Sequence, residues 1–381
     1  MINYFLKQQN IDAISLNAIY ILNILLPTLI FFFFFLSQNY NESVDYMLVT
    51  SLSLFLFFSF SGNYRQSLLA DNNIDLCEQV FVKRLFIGII IFIASFLISI
   101  FFLKINDYKI IFIATFIPVV IWLNEINLII IEIKKKFKNL FFKFLINYIL
   151  LLFLFLSFFF FEKNLIIFII SLYVIIFFFQ SYHFELNYKF FFLKKLKLIF
   201  ALNYLSSLCL QLSSFIFKYE INLFLEKKDT AFIFFTISVG SSLATITFNS
   251  IGPKDFCKNI KLTVKFYCLL FIYLIVCLIL YLLISKGLIF KSLFDAKYVF
   301  LASIIGGLIF VFSYIYRQNI LSKIQYRNHT FYLDIFFSII VILSVPLLYF
   351  FNKNYLMYSY LFTSACSFVI FYFYYYLVFK K

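Results

Sequence analysis

The feature that most constrains this chain is a succession of long, nearly uninterrupted apolar runs. A helix that crosses a bilayer needs about 20 such residues. Runs of that kind lie near 14–36, 44–61, 83–103, 108–131, 141–161, 164–184, 199–225, 230–252, 264–285, 298–316, 330–351 and 355–378. They are continuous rather than alternating and far longer than a barrel strand, which points to helices and not to a β-barrel. The expectation is an all-α, polytopic integral membrane protein of about 12 transmembrane helices.

The charges support this count. With the N-terminus placed in the cytoplasm, the even-numbered connections and the two termini hold 22 of the 32 Lys and Arg residues, among them Arg65, Arg84, Arg317 and the cluster Lys134, Lys135, Lys136 and Lys138. The opposite side holds 9, and Lys218 falls within a span. Such a bias over alternating loops fixes both the orientation and an even number of helices. Both termini are therefore expected in the cytoplasm.

Composition excludes several classes. Charged residues make up 13% of the chain and hydrophobic ones 64%, against roughly a quarter charged in a soluble domain. The formal charge of +15 follows from basic loops beside membrane spans, so no nucleic-acid partner is inferred. Six scattered Cys contain no CxxC pair, and the two His, His183 and His329, fit no HExxH pattern. No metal site and no cofactor is expected. Seven Gly form no phosphate loop, and no Ser/His/Asp set can be read. An enzyme is not expected. The first run is too long for a cleavable signal and lacks a small-residue site after it.

The basic segment 185–198 separates two sets of six runs, giving an N-terminal half over 1–190 and a C-terminal half over 191–381. Ser61-Gly62 and Gly252-Pro253 close the second run of each set before a basic connection. This weak correspondence fits two parallel halves.

The seventh run carries the strongest functional signal. Asn203, Ser207, Gln211, Ser214, Lys218 and Asn222 are spaced to share one helix face. A Lys at the bilayer centre costs about 2.5–3.5 kcal/mol on insertion scales. The stripe therefore either lines a water-filled cavity or packs on another helix through its Ser and Asn. The eighth run repeats the pattern with Ser238, Ser242, Thr245 and Asn249, flanked by Gly240 and Ser241. There, close helix packing through small residues is the alternative.

Glu125, Glu220 and Asp334 are the carboxylates within or at the ends of spans. Each is a candidate for proton or sodium coupling, or else half of a structural ion pair. Arg65, Arg84 and Arg317 lie on the side assigned to the cytoplasm. Arg65 and Arg317 adjoin span ends, where a planar guanidinium could receive an anionic head group, and Arg84 and Arg317 would mark the cytoplasmic entry; for any single one the positive-inside rule is the simpler explanation. Pro27, Pro118 and Pro346 each remove a backbone donor within a span, where helices bend.

The twelve-helix layout, the segment Ser61-Gly62-Asn63-Tyr64-Arg65-Gln66-Ser67-Leu68-Leu69, and the run Phe217-Lys218-Tyr219-Glu220-Ile221-Asn222-Leu223-Phe224-Leu225 with Asp229 and the small-residue stretch 236–252 behind it together resemble the polysaccharide-flippase branch of the multidrug/oligosaccharidyl-lipid/polysaccharide exporter superfamily. The resemblance implies two six-helix bundles around a central cavity lined by the first, second, seventh and eighth helices. It implies a protein of the bacterial inner membrane that moves an undecaprenyl-pyrophosphate-linked oligosaccharide outward by alternating access. Its partners would be that lipid-linked glycan, membrane lipids and other polysaccharide-assembly membrane proteins. Carried over by position, Arg65 and Lys218 would contact the pyrophosphate. The cavity would be less cationic than in many members, since Lys218 is the one basic residue well inside a span.

Two other readings compete. A membrane glycan polymerase or glycosyltransferase needs a sizeable outer loop with catalytic residues, and the loop 37–45 with Glu42 and Asp45 is small for that. An ion-coupled small-molecule exporter of the same superfamily would share the fold and use Glu125 or Glu220.

Overall fold

A computed structural model describes residues 19, 21–59, 74–134, 146, 149, 202–256, 264–286, 296–322 and 327–379. The described residues are helical, apart from short turns, and include no strand. The spans expected at 141–161 and 164–184, the segment 185–198 and Arg65 lie outside them. In hydrocarbon every backbone N–H and C=O must be satisfied within the protein, which leaves the helix as the only economical form for these runs. The chain is a multi-pass helical membrane protein. Six of the described helices are long and apolar enough to cross a bilayer.

The chain forms two compact units, Met1–Gln211 and Leu212–Lys381. In the first, α1 (Ile21–Leu36) turns back through Ser37–Asn39 into α2 (Tyr40–Ser59), and α3 (Ile74–Phe101) returns as α4 (Tyr108–Lys134). Helix α2 packs on α3 and α4, and α3 packs on α4. Phe57 of α2 meets Trp122 of α4 at 5.3 Å between ring centres. Gly88 of α3 faces the same indole, and a Cβ there would sit 3.7 Å from it. Helix α3 starts at Ile74, well before the apolar run at 83. Gln79 near its start is exposed, while Cys77, Val80 and Phe81 pack against Leu123, Ile126 and Ile130 of α4.

In the chain's second part come α5 (Leu202–Phe224), which crosses the boundary between the units, α6 (Lys227–Phe256), α7 (Val264–Ser285), α8 (Ala296–Ser322) and α9 (Arg327–Phe351). A 3-10 turn at Lys353–Tyr358 then leads into α10 (Ser359–Phe379). Asn352 caps that turn by accepting the Asn354 amide at 2.9 Å. Helix α8 is the hub, in contact with α6, α7, α9 and α10. At its centre Gly307 meets Gly240 of α6: a Cβ on Gly307 would lie 2.9 Å from the Gly240 carbonyl carbon. Gly306 abuts the Leu361 backbone of α10, where a Cβ would come within 3.2 Å. Three of the chain's seven glycines thus serve the close approaches of α8 to α6 and α10, as small residues do where membrane helices approach closely.

Helix α9 shows how the second unit sits in lipid. Tyr332, Phe336, Ile339, Leu343, Leu347 and Phe350 form an exposed apolar stripe. Thr330, Asp334, Ser338 and Ser344 are buried on the other side. Polar groups inside and apolar groups outside is the arrangement that a hydrocarbon surround requires. Pro27, Pro118 and Pro346 all lie within continuous helix.

Candidate functional site

Helix α5 carries the polar stripe as the sequence spacing predicts. Its buried side is formed by Ser206, Ser213, Phe217 and Ile221, and Leu223 on the far side is 60% exposed. Between these two faces, Ser207, Gln211, Ser214, Lys218 and Asn222 are all half-buried. The stripe is therefore neither sealed into the core nor turned wholly outward. Ser207 Oγ donates to the Phe58 carbonyl at 3.3 Å. Asn222 Oδ1 and Glu220 Oε2 are buried with no hydrogen-bond partner. The side chain of Asn203, in the first turn of α5, lies outside the described residues.

On α6 the two readings of the small-residue face separate by side. Gly240 makes the crossing with α8. Ser242, about half a turn round the helix, is half-buried and donates to the Val239 carbonyl at 2.7 Å. Tyr273 of α7 donates to that same carbonyl at 2.9 Å. Ser238 is buried. Thr245 and Asn249 belong to α6, but their side chains are outside the described residues.

The carboxylates divide in a way that the sequence could not show. Glu125 Oε2 accepts a hydrogen bond from Arg84 Nη1 at 2.7 Å. That same nitrogen donates to the Trp122 carbonyl at 2.6 Å, and the guanidinium lies 4.9 Å from the Trp122 ring centre. Asp334 accepts from Arg317 Nε at 2.8 Å and from Arg317 Nη2 at 2.7 Å, a bidentate pair. Glu125 and Asp334 thus hold arginines of adjacent helices, which is the structural alternative left open for them. Arg84 and Arg317 spend donors on those partners. Glu220 has no ion pair of this kind among the described residues.

Asn23, Asn124 and Asn127 stand inside apolar runs, but the sequence does not show that Asn23 and Asn124 pair. Asn124 Nδ2 donates to Asn23 Oδ1 at 3.0 Å, and Asn23 Nδ2 donates to the Ile121 carbonyl at 3.3 Å. Asn127, on the same helix as Asn124, is buried with its amide unpartnered. The signal available in sequence was the set of three amides inside apolar runs.

No group of three or more metal-ligating side chains occurs among the described residues. What the α5 face offers is a cation, two amides and two hydroxyls in a row, able to bind a polar or anionic group.

No protein-family model matches the sequence, and no curated protein matches it. Two solved structures share the fold. One is the outward-facing conformation of a multidrug resistance MATE family transporter of the MOP superfamily, 10% identical over 96% of this chain and 94% of that one, with a TM-score of 0.54. The other is a MATE in complex with MaL6, 11% identical over 96% and 95% of the two chains, with a TM-score of 0.51. At these identities the likeness is one of fold.

Proposed function

We propose that this protein is an alternating-access transporter that moves an undecaprenyl-pyrophosphate-linked oligosaccharide across the bacterial inner membrane for surface polysaccharide assembly. The observation that carries the reading is the half-buried polar face of α5 with Lys218 in its C-terminal third, in a chain with the fold of MOP superfamily transporters. A charged residue in a span is costly unless it faces water, a polar cargo or a partner group within the protein. Lys218, Gln211 and Asn222 would hold the pyrophosphate and first sugars, with Ser207 and Ser214 on the same face of α5 and Ser242 of α6 and Arg65 as further contacts. The lipid tail would stay in the bilayer. No chemical step on the cargo is involved, both termini lie in the cytoplasm, and the working partners are membrane lipids and other polysaccharide-assembly membrane proteins.

The test is the sidedness of lipid-linked glycan in cells depleted of the protein, read with an impermeant label. Intermediates trapped on the cytoplasmic face are expected, with rescue by the wild type and at least a several-fold weaker rescue by Lys218→Ala. Unjoined repeat units exposed outside would instead indicate a polymerase. Full rescue by Lys218→Ala would remove Lys218 from the site.

A second reading is export of a small molecule coupled to protons or sodium. The likeness to multidrug MATE folds favours it, and Glu220 is its best coupling group because Glu125 and Asp334 already neutralise arginines. Binding of cationic drugs by the purified protein, lost in Glu220→Gln, would decide for it.

A further inference from the structure

The two arginines that face carboxylates on the described helices use different edges. Arg317 offers its Nε and Nη2 to Asp334, and both bonds are made. Arg84 reaches Glu125 and the Trp122 carbonyl through Nη1 alone. The Nε and Nη2 of Arg84 are buried and have no hydrogen-bond partner. This Nε/Nη2 edge is the planar fork that takes two oxygens of a carboxylate or phosphate in parallel. In Arg317 it is filled. In Arg84 it is open.

Leaving donors of a charged group unmet inside a protein is costly, and native structures do so rarely. The Arg84 plane is also fixed in advance. Glu125 and the Trp122 carbonyl hold one end, and the indole lies beneath it. The Arg84 side chain is 3% exposed and that of Glu125 25% exposed, so the fork is sheltered while the Glu125 end of the pair meets its surroundings.

We propose that the Nε/Nη2 edge of Arg84 is a binding seat for a phosphate-class oxyanion, either a pyrophosphate or the phosphodiester of a lipid head group. The guanidinium then bridges two anions, the ligand on its fork and Glu125 on Nη1. This seat goes beyond the transport reading, which rests on α5, and it stands or falls separately from it.

The chain supplies its own probe. Trp122 is the only tryptophan, and it lies against the guanidinium in question. Inorganic pyrophosphate is titrated into the full-length protein in phosphatidylcholine nanodiscs while Trp122 emission is recorded. A saturable change is expected. Arg84→Lys keeps the charge and loses the fork, so the apparent affinity should fall about tenfold, the worth of one charge-assisted hydrogen bond. Glu125→Gln keeps an acceptor for Nη1 and removes the competing charge, so binding should tighten several-fold. A change that needs phosphatidylglycerol in place of phosphatidylcholine, with the same dependence on Arg84, would assign the seat to a lipid phosphodiester. No change under either condition overturns the proposal. So does a titration that Arg84→Lys and Glu125→Gln both leave as in the wild type.

Discussion

Substituting Gly307 by Ala tests the packing of the second unit at its tightest point. A Cβ on Gly307 would lie 2.9 Å from the Gly240 carbonyl carbon and 3.1 Å from its Cα. Carbon atoms rest comfortably at about 3.5–4.0 Å. The Gly240 carbonyl oxygen is nearer still, so helices α6 and α8 must part by about 1 Å to restore ordinary contact, and no rotamer can relieve the clash because these atoms are backbone. Tyr360 blocks the other side, with a ring carbon 2.7 Å from where a Cβ on Gly240 would be. Overpacking of this kind costs about 1–3 kcal/mol, and the backbone contact puts it at the upper end. The better helix propensity of Ala returns about 1 kcal/mol, leaving a net loss of about 2 kcal/mol. Gly88→Ala is the matched control. Its Cβ would meet Trp122, Phe57 and Val119 at 3.7–3.9 Å, ordinary contact distances, so the propensity gain should leave it neutral or slightly stabilised. The assay is unfolding of the purified protein in mixed micelles as the SDS fraction rises. If Gly307→Ala and Gly88→Ala unfold at the same SDS fraction, the account of the crossing is wrong.

Asp334→Ala should destabilise the protein by about 3 kcal/mol in the same assay, because Arg317 would keep a largely buried charge with no counter-ion. Asp334→Asn, which retains an acceptor, should lose less; equal stability of Asp334→Ala and wild type would show that the pair is not structural. In a variant with its native cysteines replaced, a cysteine at Ser207 or Ser214 should react with a membrane-impermeant maleimide, and one at Leu223 should not. The reverse pattern would turn the α5 stripe towards lipid.

Much of the fold was legible because hydrophobic length is a direct reading of the bilayer. The run 264–285 coincides with α7, and 108–131 lies within α4. Boundaries failed where a helix continues beyond the apolar run. The early start of α3 depends on Cys77, Val80 and Phe81 meeting α4, a tertiary contact that a hydropathy pattern does not contain. The opening of the twelfth span as a 3-10 turn depends on the Asn352 cap in the same way. Periodicity placed the α5 stripe on one face, but which arginine neutralises Glu125 or Asp334 could not be read. Arg84 and Glu125 are 41 positions apart and Arg317 and Asp334 are 17 apart, so each pairing exists only once helices pack.

The structure also changes how polar residues in spans should be weighed. Ser51 donates to the Leu48 carbonyl, Thr115 to Ile111, Thr236 to Ile233 and Ser344 to Val341, each within its own helix. A hydroxyl can be satisfied by the turn before it, so a serine in a span says little about a cavity. Ser242 belongs to this group, which lowers its value as a site residue. A lysine or glutamine has less scope for this, because it carries two or three donors, and those not met within its own helix must find water, a ligand or another helix. Within the α5 stripe, Lys218 and Gln211 therefore carry more of the functional argument than Ser214 between them.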